Sequence, residues 1–202
     1  MRLIAENLGG ERGGNRIFSG LNFELGNGDC LVVTGDNGSG KSTLLRIVAG
    51  LLPPAAGNIV FEAAGDAFPT LASASHYLGH DNAMKTALTV RENLKFWQVF
   101  CGAAEFDVDD ALDTVGLDAV GHLPFAYLST GQKRRVAIAR LLVSSRPLWL
   151  LDEPTAGLDK VSERRFAGLL QAHLEDGGMA IAATHVDLGL TQAKMLDMGA
   201  GA

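Results

Sequence analysis

The chain has 202 residues, a net charge of -6 and 25 glycines, and its length suits one domain around a single core. The negative charge provides no cationic field for a phosphate backbone, so nucleic acid is not an expected partner. Cys30 and Cys101 stand far apart without neighbouring histidines, which argues against a disulfide framework and a zinc site. No apolar run is long enough for a signal peptide or a membrane span, so we expect a protein of the reducing cytosol.

The first part of the chain is predicted to form a small antiparallel β layer. Leu3 begins a strand, Gly9-Gly10 and Gly13-Gly14 are expected at turns, and residues 21–25 alternate apolar and polar side chains with a period of two. Cys30-Leu31-Val32-Val33 is a continuous apolar run, which indicates a strand buried on both faces. We expect this run to be the central strand of a sheet.

The elements that follow have the order of an α/β protein. Residues 42–49 have helical apolar spacing and are followed by Gly50. Thr89, three residues before Glu92, forms the pattern of a capping box, which opens a helix to about residue 100. A second helix is expected near residue 108 to 115. Strands at 148–151 and 179–183, with a helix between them, then imply a parallel sheet.

A glycine-rich segment lies between the predicted buried strand and the helix after it. Gly35-Asp36-Asn37-Gly38-Ser39-Gly40-Lys41-Ser42 matches G-x-x-x-x-G-K-[ST]. Glycines let backbone N–H groups converge on phosphate oxygens, the helix N-terminus adds partial positive charge, and Lys41 adds a full one. The Ser42 hydroxyl can ligate Mg²⁺, and Thr43 is expected to cap the helix or touch the α-phosphate. The alternative, a turn that only links strand to helix, is disfavoured by this context.

Two acids end the apolar strand at 148–151. Asp152 and Glu153 stand at the carboxyl end of that strand, where α/β sheets place ligands. Asp152 is expected to hold Mg²⁺ through water, and Glu153 to orient or deprotonate the water that attacks the γ-phosphate. Acids at a helix N-terminus before Pro154 are the alternative, and the phosphate loop elsewhere in the chain disfavours it.

The segment Leu128-Ser129-Thr130-Gly131-Gln132 resembles the LSGGQ signature of ABC ATPases. Ala156-Gly157-Leu158-Asp159 resembles the D-loop of that family, and His185 resembles its switch histidine. The resemblance implies an α/β fold with a P-loop core, an N-terminal antiparallel β layer and an inserted helical subdomain. The implied ranges are one ABC ATPase domain over 1–202, with a core lobe from 1–87 and 146–202 and the helical subdomain from 88–145.

The resemblance also implies that two copies stack head to tail around ATP and Mg²⁺, as a homodimer in the ATP-bound state. The signature of one copy is expected to receive the γ-phosphate of ATP held by the other. The residues expected to bind nucleotide are Gly35, Asp36, Asn37, Gly38, Ser39, Gly40, Lys41, Ser42, Thr43, Ser129, Gly131 and Gln132. Those expected in catalysis are Lys41, His80, Glu153 and His185, and those expected at the metal are Ser42, His80 and Asp152.

The chain departs from the usual ABC pattern at three positions. His80 stands where most ABC ATPases carry the Q-loop glutamine, and a neutral histidine can still bond a Mg²⁺-bound water or the nucleophile. Because protonation removes that acceptor, an enzyme that depends on His80 is expected to lose activity in acid. Arg12 stands near the place of the adenine-stacking aromatic, and a guanidinium can also stack on a base. Thr130 replaces the first signature glycine.

Four basic residues follow the signature, at positions 133, 134, 135 and 140. They could form a patch for nucleic acid or the solvated face of an amphipathic helix. We interpret them as a solvated face because the chain as a whole is acidic.

The Gly79-His80 pair, the signature and Lys85 before Leu88-Thr89 resemble the ATP-binding subunit of the haem exporter of cytochrome c maturation. That resemblance implies a transport ATPase on the cytoplasmic face of the inner membrane, partnered by an integral membrane permease and meeting haem only through that partner. The alternatives are the subunit of another small ABC exporter and a nucleotide-gated module that switches partners without turnover. Glu153 and His185 argue against the second. A DNA-repair type of ABC ATPase would need long insertions before the signature, for which the chain has no room.

Overall fold

The computed structural model describes residues 1–62 and 67–199, which contain eight strands and five α-helices. In chain order these are β1 (Arg2–Arg12), β2 (Asn15–Gly26), β3 (Cys30–Thr34), α1 (Lys41–Val48), β4 (Ala56–Glu62), β5 (Ser75–Leu78), α2 (Val90–Cys101), α3 (Val108–Thr114), α4 (Thr130–Leu142), β6 (Leu148–Asp152), α5 (Lys160–Glu175), β7 (Met179–Ala183) and β8 (Lys194–Asp197). The chain forms two compact units. The first contains residues 1–77, 146–153 and the chain from 171 onward, and the second contains residues 78–145 and 154–170.

The first unit contains a three-stranded sheet in the order β2-β1-β4, and β1 pairs antiparallel with both neighbours. This confirms the predicted antiparallel layer. The turn expected at Gly9-Gly10 is wrong, because both glycines lie inside β1. The register of β1 against β2 shifts between Leu8 and Glu11, so the strand absorbs them in irregular pairing and continues to Arg12.

A second sheet has the order β5-β6-β7-β3-β8, and β3 pairs parallel with both β7 and β8. The expectation that Cys30–Val33 forms the central strand is wrong, because β7 occupies the middle and β3 lies next to it. The apolar run indicated burial, and β3 is largely buried, but β7 is buried at all five of its positions. The run carried no information on the order of strands, since the order depends on the crossovers.

Helix α1 and both sheets share one hydrophobic core in the first unit. Its fully buried members include Leu3 and Leu25 of the small sheet, Leu44 and Leu45 of α1, and Ile181 of β7. Burial of a side chain of this size stabilises the fold by about 1.5–3 kcal/mol. The core thereby holds the segment between β3 and α1 at the carboxyl end of the parallel sheet.

The second unit contains α2, α3 and α4. Thr89 caps α2 by accepting from the Glu92 N–H, and the Glu92 side chain accepts from the Thr89 N–H, which confirms the predicted capping box. On α4, Arg134 and Arg140 are each only 5% exposed. The interpretation of the basic residues as a solvated face is therefore wrong for these two arginines.

The buried guanidinium of Arg140 packs against an aromatic ring instead of solvent. Its central carbon lies 4.7 Å from the centroid of the Trp97 ring, a cation-π contact. Burial lowers the pKa of Arg140 to about 10. Arg140 therefore stays charged at neutral pH, and its contact with the Trp97 ring compensates part of the cost of its desolvation. Sequence periodicity does not indicate such a contact.

Because of His173 in the first unit, we expect the free energy of unfolding to depend on pH. Its ring stacks on Trp149 with centroids 4.1 Å apart, and its Nε2 lies 3.1 Å from the Met179 carbonyl oxygen. Burial lowers the pKa of His173 from 6.5 to about 4. Between these values the unfolded chain binds more protons than the folded chain, so the free energy of unfolding falls as the pH falls from 6.5 to 4.

We expect His173→Phe to remove on the order of 3 kcal/mol of that acid destabilisation. The measurement is urea unfolding at several pH values between 6.5 and 4, where the variant should give the shallower dependence. His122→Gln is the control, because His122 is exposed and its replacement should leave the slope unchanged. A His173→Phe slope equal to that of the wild type would contradict the assignment.

Candidate functional site

A cleft of about 200 Å³ lies in the first unit, where β3 leads into α1 and where β6 ends. Its walls are Arg12, Ile17, Asn37, Gly38, Gly40, Lys41, Ser42, Thr43, Asp152 and Glu153. The structure thus brings the glycine-rich loop together with the two acids that follow β6. Gly35, Asp36 and Ser39 are not among the residues that line this cleft.

The start of α1 is open to an anion because its cap is Gly40. Gly40 has a φ of 101°, and a Cβ there would lie 2.6 Å from Ile17 Cγ2, so close packing and left-handed backbone both require glycine. No side chain caps the helix, and its first turn contains no acid. The N–H groups at the start of α1 are therefore available to a negatively charged ligand.

The side chain of Lys41 lies inside the loop. The side chain is buried, and Nζ donates to the carbonyl oxygens of Gly35 at 2.6 Å and Asp36 at 3.0 Å. The Ser39 N–H also donates to the Asp36 carbonyl at 3.1 Å, and the buried Ser39 hydroxyl has no hydrogen-bond partner among the described residues. Gly35, Asp36 and Ser39 therefore shape the loop, whereas Asn37, Gly38 and Gly40 face the cleft.

Glu153 has strained backbone at the edge of this cleft. Its φ is 44°, in the left-handed region, and its N–H donates to the Ala183 carbonyl of β7 at 2.9 Å. A residue with a side chain pays about 1–2 kcal/mol for that conformation. Strain of this kind concentrates at functional sites, so the conformation supports a role for the Glu153 carboxylate beyond packing.

The cleft has the oxygen donors that suit Mg²⁺. The Ser42 hydroxyl and the Asp152 carboxylate both line it, and Mg²⁺ in enzymes is commonly held by one or two such groups together with water and substrate phosphates. Within residues 1–62 and 67–199, no cluster of three or more His, Cys, Asp or Glu side chains could hold a metal by itself. The donor set therefore fits a metal that arrives with a phosphate ligand.

Tyr77 lies near both Arg46 and Asp152, and the sequence did not indicate either Tyr77 or Arg46 as part of the site. Burial raises the pKa of Tyr77, the hydrogen bond with Arg46 lowers it, and the Asp152 carboxylate raises it again. Tyr77 belongs to β5, the neighbour of β6 in the sheet. No local pattern signals this proximity, because the two strands are far apart in the chain.

His185 follows β7 but does not line the cleft. It is exposed and lines a separate groove of about 490 Å³, together with Thr34, Thr184 and Met195. The predicted contact of His185 with the γ-phosphate and Glu153 stays a prediction.

In the second unit, the signature residues form the start of α4. The Ser129 N–H donates to Gln132 Oε1 at 2.9 Å, and the Gln132 N–H donates to Ser129 Oγ at 3.3 Å. This is a capping box, which the S-x-x-Q spacing could have revealed. A Cβ at Gly131 would lie 2.9 Å from the Gly157 carbonyl oxygen. Gly131 is therefore required by its close approach to the segment that resembles the D-loop.

His80 is exposed, and the residues after it border a groove of about 470 Å³ in the second unit. Asp81, Asn82, Lys85, Phe96 and Trp97 are among the lining residues, and His80 is not. The catalytic and metal roles assigned to His80 stay predictions. No described helix is both long and apolar enough to cross a bilayer.

Comparison with known proteins identifies the family. The model of the ABC transporter family matches residues 18–156. The chain belongs to the ABC transporter family. It is 68% identical, over 96% of its length and 97% of the relative, to the cytochrome c biogenesis ATP-binding export protein CcmA of Mesorhizobium japonicum. A protein of the same name from a Chelativorans species is 60% identical over 100% of both chains.

A solved structure agrees with the family assignment at the level of fold. A putative ABC transporter ATP-binding protein from Pyrococcus furiosus superposes with a TM-score of 0.83, at 21% identity and over 98% of each chain. The predicted ABC ATPase fold is thereby confirmed.

Proposed function

We propose that this ABC protein hydrolyses ATP as the nucleotide-binding subunit of an exporter that serves cytochrome c biogenesis. The single observation that supports hydrolysis best is the cleft that joins the Lys41 loop to Asp152 and the strained Glu153. A loop alone would account for binding. The acid at its edge supplies a base for an attacking water.

Each group of the cleft has a distinct task in this proposal. The amides of the loop and the Lys41 ammonium bind the β- and γ-phosphates. Ser42 and Asp152 hold Mg²⁺, which, when bound, neutralises charge that develops on the phosphates. Glu153 orients a water in line with the γ-phosphate and accepts its proton. Arg12 lines the same cleft, and its guanidinium would stack on the base.

We assign the signature turn to a second copy of the chain. The start of α4 has a stable cap in Ser129 and no acid in its first turn, and such a helix end attracts a phosphate. ATP held by the loop of one copy and the α4 turn of another would close a homodimer. Hydrolysis would then release it.

The groove after His80 is the surface that we assign to a membrane permease. It is lined by Phe96 and Trp97 and by Asn82, whose buried Oδ1 has no partner among the described residues. An apolar segment that also brings a hydrogen-bond donor would fill it. The names of the relatives, at 60–68% identity, support a place in cytochrome c biogenesis. We propose that the subunit works on the cytoplasmic face of the inner membrane, where it would meet the permease. Haem would then be handled by the permease.

Purification of the tagged chain from membranes tests this proposal. We expect an integral membrane protein with haem absorbance to co-purify with it, and the isolated chain to release phosphate from ATP with Mg²⁺. Phe96→Ser should reduce recovery of the membrane protein several-fold, because a hot-spot aromatic carries much of such an interface. Val99→Ser is the matched control, since Val99 is exposed on the same helix but does not line the groove. Equal recovery with both variants would contradict the assigned surface.

A further inference from the structure

Arg134 of α4 lies between two segments that flank proposed catalytic residues. Its Nε donates to the Pro154 carbonyl at 3.0 Å, and its Nη1 donates to the Gly79 carbonyl at 2.8 Å. Pro154 directly follows Glu153, and Gly79 directly precedes His80. One side chain therefore contacts the main chain beside the general base and beside the residue at the Q-loop position.

The geometry points to Arg134 as a positioning residue for ATP hydrolysis, which sets the main chain next to Glu153 and His80 without contacting the nucleotide itself. The inference rests on the proposed function. A guanidinium is planar and rigid, so two carbonyl groups bonded to different nitrogens of it are held at a fixed separation. With Arg134 only 5% exposed, water cannot readily replace either bond.

A second contact holds the same segment at its other end. The carbonyl of Gly157 approaches Gly131 so closely that a Cβ would lie 2.9 Å away, and the Thr130 Cγ2 lies 3.5 Å from where a Cβ of Gly157 would be. Residues 154–157 therefore lie along the first turns of α4, bonded at Pro154 and packed at Gly157. A shift of α4 would move this segment with it.

The segment after Gly79 is held in a comparable way. Trp97 Nε1 donates to the Ala83 carbonyl at 3.0 Å, and the Lys85 N–H donates to Asn93 Oδ1 at 2.7 Å. Ala83 itself has a φ of 55°. Together with Arg134 at Gly79, these bonds attach the segment from 79 to 85 to α2 and α4 within the second unit. Arg134 is the one that lies next to His80.

The test compares Arg134→Met with Arg135→Met. Methionine keeps an apolar stem and removes the donors. Arg135 is a matched control because it is the next residue on α4 and its Nη1 donates to two carbonyls, of Val115 and Gly116, away from the proposed catalytic residues. We expect Arg134→Met to lower kcat by about 10–100-fold, the effect of a small misplacement of catalytic groups. KM for ATP should change by less than about threefold, because the groups that bind phosphate remain.

Arg134→Lys and hydrogen exchange complete the experiment. Lysine keeps the charge but lacks the fork, so kcat should lie between those of the wild type and Arg134→Met. Amide exchange should rise in peptides covering 79–85 and 153–157 in Arg134→Met, and near residues 115–116 in Arg135→Met. Equal kcat in the two methionine variants, or unchanged exchange in both Arg134 segments, would overturn the inference. A wild-type chain without ATPase activity would instead refute the proposed function, and exchange would still report the attachments. If Arg134→Met does not fold, Arg134→Lys supplies the same comparison.

Discussion

Glu153→Gln is expected to reduce ATP hydrolysis by about 10²–10⁴-fold, the usual contribution of a general base. Glutamine has nearly the same shape and can keep the main-chain bond to Ala183, but its amide cannot accept a proton from water. Binding of ATP should persist, because Lys41 and the start of α1 are unchanged. Loss of kcat with retained affinity would separate catalysis from binding at this cleft.

The same variant should accumulate an ATP-bound dimer. If hydrolysis opens the dimer, a variant that binds ATP without hydrolysing it stays closed, and analytical ultracentrifugation with ATP and Mg²⁺ should show a species of twice the mass. Glu175→Gln is the control, because Glu175 accepts from Gln171 within α5 and lies outside the cleft. Undiminished phosphate release by Glu153→Gln would remove the catalytic assignment, and a variant that remains monomeric with ATP would remove the dimer model.

Lys41→Met is expected to weaken ATP binding by about 10–100-fold. Hydrogen bonds to charged groups contribute about 1.5–3 kcal/mol, and each 1.4 kcal/mol is about tenfold in Kd. Methionine preserves the buried stem while removing the ammonium, so the loss reports charge and hydrogen bonding. It also leaves the carbonyls of Gly35 and Asp36 without this donor, which should loosen the loop.

Isothermal titration with ATP and Mg²⁺ measures this effect. The titration is best done with Glu153→Gln also present, so that turnover does not obscure binding. Lys160→Met serves as the control, since the Lys160 side chain is 85% exposed and pairs with Glu163. An unchanged Kd for Lys41→Met would show that the loop does not hold the triphosphate through this lysine.

Local sequence patterns correctly predicted those parts of the structure that depend on interactions between residues close together in the chain. The glycines and Lys41 predicted the loop that leads into α1, and the Thr89–Glu92 spacing predicted the start of α2. Each depends on backbone geometry within a few residues. The turn wrongly expected at Gly9-Gly10 shows the limit, because a glycine pair suits an irregular strand as well as a turn. Only the pairing of β1 with β2 and β4 decided between them.

The buried arginines show why charge patterns are harder to interpret. Lys133, Arg134, Arg135 and Arg140 look alike in the sequence, and yet Arg134 and Arg140 are buried while the other two are only partly covered. Arg134 and Arg135 each donate to two carbonyls far along the chain, but of these two only the Arg134 side chain is buried. Likewise, Tyr77 comes near Asp152 because β5 and β6 are neighbours in the sheet.

By itself, the sequence determined which functional motifs this protein contains. They are a glycine-rich loop of the phosphate-binding pattern, two acids after a buried strand, and an ABC signature, in the order typical of that family. The tertiary structure decided which of these groups meet. It placed Asp152 and Glu153 in the cleft of Lys41, directed His185 to another groove, and buried Arg134 against Pro154 and Gly79. The physical reason is that motif geometry is a short-range property of the backbone, whereas strand order and burial depend on contacts between distant parts of the chain.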